Sequence, residues 1–160
     1  MPLRMPRSVS AAMVKPARKV FNKSLFDETD TSARAAAKRY WGSLGHNVED
    51  HPDRYAVDLI VNTGTEEFYC EVEIKKVWTG AMFKYDTLQI PERKSKFAKL
   101  DKPAYFMVFN NEVTHAFLCP SSILLSSPVV EVPNKYVYKG EMFYQVPINL
   151  ISLVEVPSGN

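Results

Sequence analysis

The chain has 160 residues, of which 46% are hydrophobic and 12% aromatic, and this composition predicts one folded domain with a sizeable core. It excludes a wholly disordered or fibrous protein. The net charge of +2 is too small to indicate a partner by itself. No apolar run approaches the roughly 20 residues of a membrane-spanning helix, and the first residues lack a secretory signal, so we expect a cytoplasmic protein without a membrane partner.

The cysteines and the first basic residues are two further features of the sequence. Cys70 and Cys119 each lie in an apolar segment without a CxxC pattern, which predicts buried reduced thiols rather than a disulfide or a zinc site. Residues 1–26 contain six basic residues and no acidic one. This segment is predicted to be a flexible basic arm that neutralises phosphates, although a plain solvated tail or an Arg-rich targeting peptide has the same composition.

The first predicted element is an amphipathic helix over residues 32–44. Its apolar side chains recur at helical spacing, in the order Ala33, Ala36, Ala37, Tyr40, Trp41 and Leu44. Asp30 or Thr31 is expected to cap its amino end, and Gly45 suits the left-handed position after its last turn.

A β-hairpin follows, preceded by an expected edge strand over residues 46–49. Residues 55–61 and 68–76 have strand composition, and the turn-forming segment 62–66 separates them. In the second strand Cys70, Val72 and Ile74 should share one face while Glu71, Glu73 and Lys75 share the other, because strand side chains alternate.

The remaining elements predict a mixed sheet. We expect a helix over residues 91–100, strands over 104–109 and 113–119, a helical turn at 121–125, a hairpin turning at 139–141 and a final strand near 151–156. The predicted class is therefore α/β with a mixed sheet. One domain is expected over residues 27–160, with its core at about 32–119 and a β-rich extension over 120–160.

Asp58, a hairpin and Glu73-Ile74-Lys75, with a helix before and a helix and strand after, together resemble the PD-(D/E)xK nuclease superfamily. This superfamily includes restriction enzymes and Holliday-junction resolvases, and the resemblance implies a restriction-endonuclease-like αβββαβ core. It implies a metal-dependent DNA endonuclease, with a homodimer expected because related enzymes often cut two strands with two copies. The residue before Asp58 is Val57 rather than proline, and the literal Pro-Asp pair is Pro52-Asp53, in an expected loop.

The resemblance implies catalytic roles for Asp58, Glu73 and Lys75. Asp58 and Glu73 would hold Mg²⁺, or Mn²⁺ in its place, with the Ile74 carbonyl as a further oxygen ligand. Lys75 would orient the attacking water or stabilise the charge on the phosphate. Further acids and basic residues complete the expected site: Glu71, Asp30 and Glu28 as additional acids, and Arg93, Lys94 and Lys76 as nucleic-acid contacts.

Two other interpretations remain open at this level. In the first, the chain is a noncatalytic nucleic-acid-binding module of the same fold. In the second, it is a structural or interaction protein, and the charged strand is merely a solvated ladder of side chains. Hairpin register tests the site, because Asp58 and Glu73 share a face only if the numbers of paired residues sum to an odd value. A two-residue Gly64-Thr65 turn gives such a register by pairing Asn62 with Glu67.

Overall fold

The computed structural model describes residues 23–53, 55–134 and 137–159, and it describes the side chains among these except for residues 23–30, 134 and 137–139. The helices are α1 (Lys23–Ser43), α2 (Ser95–Ala98) and α3 (Ser121–Leu125), with 3-10 turns at Glu92–Lys94 and Ile148–Leu150. The strands are β1 (Asn47–Asp50), β2 (Leu59–Asn62), β3 (Glu67–Ile74), β4 (Thr87–Pro91), β5 (Ala104–Phe109), β6 (His115–Pro120), β7 (Val129–Asn134), β8 (Val137–Pro147) and β9 (Ser152–Glu155). No helix in the part of the chain that the structure describes is long and apolar enough to cross a membrane.

The main sheet has six strands in the order β1-β2-β3-β5-β6-β9. Its neighbours are antiparallel except for β3 and β5, which are parallel. Helix α1 packs on one face of this sheet because its small buried residues, Ala33, Ala36 and Ala37, allow its backbone to approach Cys70 and Val72 of β3. The helix therefore lies beside the strand that carries the acidic residues.

A second sheet, of order β4-β8-β7, contributes to the core on the other face. Leu88 and Ile90 of β4 belong to one buried cluster with Phe106 and Val108 of β5. The alternate β5 residue, Met107, belongs instead to the cluster under α1. Strand β5 is thus covered on both faces, which explains its unbroken run of apolar residues.

The predicted α/β class with its αβββαβ order is confirmed by α1, β1, β2, β3, α2 and β5. The predicted strand over 104–109 is confirmed, and so is the helical turn at 121–125. The strand predicted near 151–156 is β9, which joins the main sheet beside β6. Both cysteines are free and buried, as predicted, and burial raises the pKa of each thiol to about 12.

Several boundaries differ from the predictions. Helix α1 runs through Asp30 and Thr31, so neither caps it, and its first residues, 23–26, belonged to the predicted arm. Residues 1–22 lie outside the described residues. Gly45 has φ +87°, which confirms the left-handed position after the helix.

The predicted helix over 91–100 is wrong at its start, because Pro91 ends β4 and a 3-10 turn then leads into a four-residue α2. The predicted turn at 139–141 is also wrong, because these residues lie inside β8. Gly140, with φ +87°, lies instead where the register between β7 and β8 shifts, and a Cβ there would come 2.8 Å from the Val132 carbonyl oxygen.

The close approach of α1 to the sheet predicts that Ala36→Leu destabilises the protein. Ala36 is fully buried, whereas Ala35 is exposed on the same helix. Overpacking at residue 36 should lower the free energy of unfolding by about 1–3 kcal/mol, and Ala35→Leu should change it by less than about 0.5 kcal/mol. Urea denaturation measures both, and equal stabilities of the two variants would contradict this packing.

A candidate active site beside the central hairpin

The register of the central hairpin decides which acidic residues meet. Asn62 pairs with Glu67 and Leu59 with Cys70, so paired numbers sum to 129, and the predicted odd register is confirmed. The predicted Gly64-Thr65 turn is also present, since the Thr63 amide donates to the Glu66 carbonyl at 3.0 Å and Gly64 has φ +98°. Continuing this register by one residue sets Asp58 opposite Glu71.

Asp58 is the residue immediately before β2, at the end of the paired region of β2 and β3. Its Oδ2 accepts a hydrogen bond from the Val72 amide at 3.0 Å, so the side chain occupies the place of a backbone acceptor on the edge of β3. Its Oδ1 lies 3.7 Å from a guanidinium nitrogen of Arg34 on α1, and only 16% of the side chain is exposed. Helix and strand together therefore hold this carboxylate in place.

Glu71 is the carboxylate that faces Asp58. The Asp58 amide donates to Glu71 Oε1 at 3.2 Å, and Glu71 Oε2 lies 3.3 Å from Lys94 Nζ. Burial raises the pKa of Glu71 well above its usual range, and the neighbouring Asp58 raises it further by its charge and by a hydrogen bond between the side chains, while Lys94 opposes the rise. The ionised form of Glu71 is therefore disfavoured in the folded protein.

Lys94 joins this carboxyl pair to Glu73. Its Nζ lies 3.5 Å from Glu73 Oε1, and its side chain is 12% exposed while that of Glu73 is 19% exposed. In the helix predicted over residues 91–100, Lys94 would lie on the exposed face; this expectation is wrong, because the residue belongs to the 3-10 turn that follows β4 and its side chain contacts Glu71 of β3. The sequence-based prediction did not include strand β4, which positions this turn.

Lys75 follows the last residue of β3. Its amide donates to the Phe109 carbonyl at 2.9 Å and so extends the pairing of β3 with β5, just past Ile74. The side chain is half-buried, and it forms no ion pair with any acidic residue of the described ranges. The structure brings Asp58, Glu71, Glu73 and Lys94 together, and the role of Lys75 stays a prediction.

The remaining predicted site residues lie at the margin. Arg93 is exposed and lies 3.3 Å from a carboxylate oxygen of Glu141, and Lys76 is exposed beyond the end of β3. Glu28 and Asp30 belong to α1, but their side chains lie outside the described residues. The sequence-based interpretation gave no role to Arg34. The i, i+4 spacing of Arg34 and Lys38, both now beside Asp50, was the available signal.

The donor chemistry of the site suits a hard divalent cation. Across residues 23–53, 55–134 and 137–159, no group of three or more His, Cys, Asp or Glu side chains is arranged to hold a metal ion. The facing carboxyl groups of Asp58 and Glu71 nevertheless supply two oxygen donors, and Mg²⁺ commonly takes one or two protein carboxylates and completes its shell with water. The residues present therefore fit Mg²⁺ or Mn²⁺.

Comparisons with known proteins give structural similarities at low sequence identity. No protein-family model matches the chain, and no curated protein sequence matches it. The chain is similar to the bacterial homing endonuclease I-Ssp6803I, with 18% identity, a TM-score of 0.47, and coverage of 72% of this chain and 80% of that one. It is also similar to Hjc, a Holliday junction resolvase from Archaeoglobus fulgidus, with 12% identity, a TM-score of 0.46, and coverage of 74% and 95%.

The raised pKa of Glu71 predicts that Glu71→Gln stabilises the metal-free protein at neutral and alkaline pH. The ionised form is disfavoured in the fold, so wild-type stability falls as pH rises from the unfolded-state value of about 4.3 through the raised folded-state pKa. The amide cannot ionise, and Lys94 keeps Glu73 as a partner. The Tm of the variant should exceed that of wild type at pH 8, by about 2–4 °C for each kcal/mol gained.

Thermal melts from pH 4 to pH 8 in the presence of a chelator measure this difference, which should shrink toward pH 4. Glu66→Gln, at the exposed hairpin turn, is the matched control and should follow wild type throughout. A Glu71→Gln variant that melts below wild type at pH 8 would show that the ionised carboxylate stabilises the fold.

Proposed function

We propose that the chain is a metal-dependent nuclease that hydrolyses phosphodiester bonds of DNA. The observation that carries the proposal is the facing pair of carboxyl groups, Asp58 and Glu71, held by backbone amides at the edge of β3. Keeping two such groups adjacent and largely buried costs free energy, which Lys94 offsets only in part, since the pKa of Glu71 remains raised beside it. A site with this cost is expected where the charge has a chemical use.

Asp58 and Glu71 are the residues that would hold Mg²⁺ or Mn²⁺. When bound, the cation supplies neutralisation of charge on the phosphate oxygens and a more acidic water molecule. In this proposal Glu71 replaces Glu73 as the carboxylate that binds the cation together with Asp58. Glu73 remains on the same face of β3, two residues along, as a candidate further acid.

The chain's own residues prepare this site in distinct ways. The Val72 amide and Arg34 fix the Asp58 carboxylate, so its orientation does not depend on a cation. The Asp58 amide orients Glu71 in the same way. The family resemblance implies a lysine of the reaction, with Lys75 at the end of the same strand as its first candidate, where an ammonium group would stabilise negative charge on the phosphate.

DNA is the proposed substrate because exposed basic residues lie near this end of β3. Lys76 follows the strand, and Arg93 precedes Lys94 in the 3-10 turn. Their charges would position a phosphate backbone without reading its sequence. Two copies acting together would cut both strands of a duplex, so the proposal includes a homodimer on the substrate.

Replacement of Asp58 tests the proposal. Asp58→Asn keeps the volume and removes a hard anionic ligand, so cleavage should fall by roughly two to three orders of magnitude and divalent-ion binding should weaken. Asp53→Asn is the matched control, because Asp53 belongs to the literal Pro-Asp pair but lies in a loop, where it accepts a hydrogen bond from the Tyr55 amide at 3.0 Å. It should cut as wild type does.

The assay uses linear and branched DNA with Mg²⁺ or Mn²⁺, with calorimetric titration of the metal in parallel. Wild-type cleavage that Asp58→Asn retains would remove Asp58 from the site. Wild-type binding of DNA without cleavage of any substrate would favour the noncatalytic nucleic-acid-binding module instead.

A further inference from the structure

We propose that Lys94, rather than Lys75, supplies the ammonium group that acts on the phosphate during cleavage. This inference rests on the proposed function and names a residue of the same site. Lys94 Nζ lies 3.3 Å from Glu71 and 3.5 Å from Glu73, so it borders any ligand that the Glu71 carboxylate holds. A phosphate oxygen bound at the carboxyl pair would therefore come next to this ammonium group.

The position of Lys94 is fixed by the second sheet. The residue lies in the 3-10 turn Glu92–Lys94, which begins immediately after Pro91, the last residue of β4. Pro91 pairs with Phe143 of β8, and Leu88 and Ile90 of β4 are fully buried. A side chain anchored in this way loses little further freedom when it binds a substrate group, and such preorganisation is the main source of electrostatic stabilisation in enzyme sites.

Three other basic residues near the site, Lys75, Lys76 and Arg93, lack these features. Lys75 follows the last residue of β3 and forms no ion pair within the described part of the chain. Lys76 and Arg93 are exposed, where water and salt weaken their charge. An ammonium group shielded from water acts more strongly on a phosphate, because the local dielectric is lower.

A purely structural role for Lys94 is the competing explanation. Glu71 and Glu73 are largely buried, and removal of the cation that they share would weaken the compensation of both carboxylates, which destabilises a fold. Loss of activity in a Lys94 variant would therefore not be informative by itself. The two roles separate when a divalent cation restores the lost charge, because the structural need is then met while the ammonium group is still missing.

The test compares Lys94→Met with Lys75→Met, since methionine keeps the apolar stem of lysine and removes its charge. Lys94→Met should melt below wild type in the presence of a chelator, and Mg²⁺ should raise its Tm more than that of wild type. Calorimetric titration should show Mg²⁺ affinity unchanged or increased. Single-turnover cleavage at saturating Mg²⁺ should nevertheless fall by roughly 100- to 1000-fold, and by much more than in Lys75→Met. Lys99→Met, at an exposed lysine outside the site, is the control and should cut at the wild-type rate.

Near-wild-type cleavage by Lys94→Met, once Mg²⁺ has restored its melting temperature, would overturn the inference and leave Lys94 a structural residue. A large loss of cleavage in Lys75→Met, without one in Lys94→Met, would return the role to Lys75. If Lys94→Met does not melt cooperatively even with Mg²⁺, Glu73→Gln/Lys94→Met replaces it, with Glu73→Gln alone as its reference. Absence of cleavage by wild type would overturn the proposed function and this inference with it.

Discussion

The structure depends on how two neighbouring carboxyl groups are accommodated at the edge of β3. Asp58 and Glu71 face each other and are largely buried, and the charge of Asp58 adds to the effect of burial in raising the pKa of Glu71. Their repulsion is opposed by Arg34 on one side and Lys94 on the other, so cations from α1 and from the turn after β4 converge on the pair. Each layer that covers the main sheet, helix α1 on one face and the second sheet on the other, therefore contributes a cation to the site.

This arrangement explains why an element outside the αβββαβ core matters to the chemistry. Strand β4 pairs with β8, a partner more than fifty residues later, and it carries the turn that presents Lys94. The β-rich second half of the chain thereby supports the carboxyl pair, although none of its own residues contacts Asp58 or Glu71 among the contacts of the described residues. The buried cluster shared by β4, β5 and β8 fixes the distance between this turn and β3.

Much of the fold could be predicted from local sequence. The strand over 104–109 is a continuous apolar run because both of its faces are buried, and the hairpin register follows from a Gly64-Thr65 turn that needs a positive φ. The same register already implies the pairing of Asp58 with Glu71. The Glu-x-Lys spacing favoured Glu73 instead, because alternation alone shows that the two glutamates share a face and does not show which one lies opposite Asp58.

The parts that could not be predicted depend on contacts between distant segments. Strand β4 is five residues long and ends in proline, so nothing local separates it from a loop, and its pairing with β8 needs the folded chain. Without β4, Lys94 has the appearance of one lysine in an exposed basic helix. The turn placed at 139–141 failed for a related reason, since Gly140 serves a register shift inside β8, a use of glycine that resembles a turn in sequence.

The most direct measurement of the central claim is an anomalous difference map from crystals grown with Mn²⁺. The carboxyl pair predicts a peak bound by oxygen atoms of both Asp58 and Glu71. A peak bound by Glu73 and the Ile74 carbonyl without Glu71 would contradict this account of the site. The absence of any peak at the carboxyl pair would contradict its use as a metal centre.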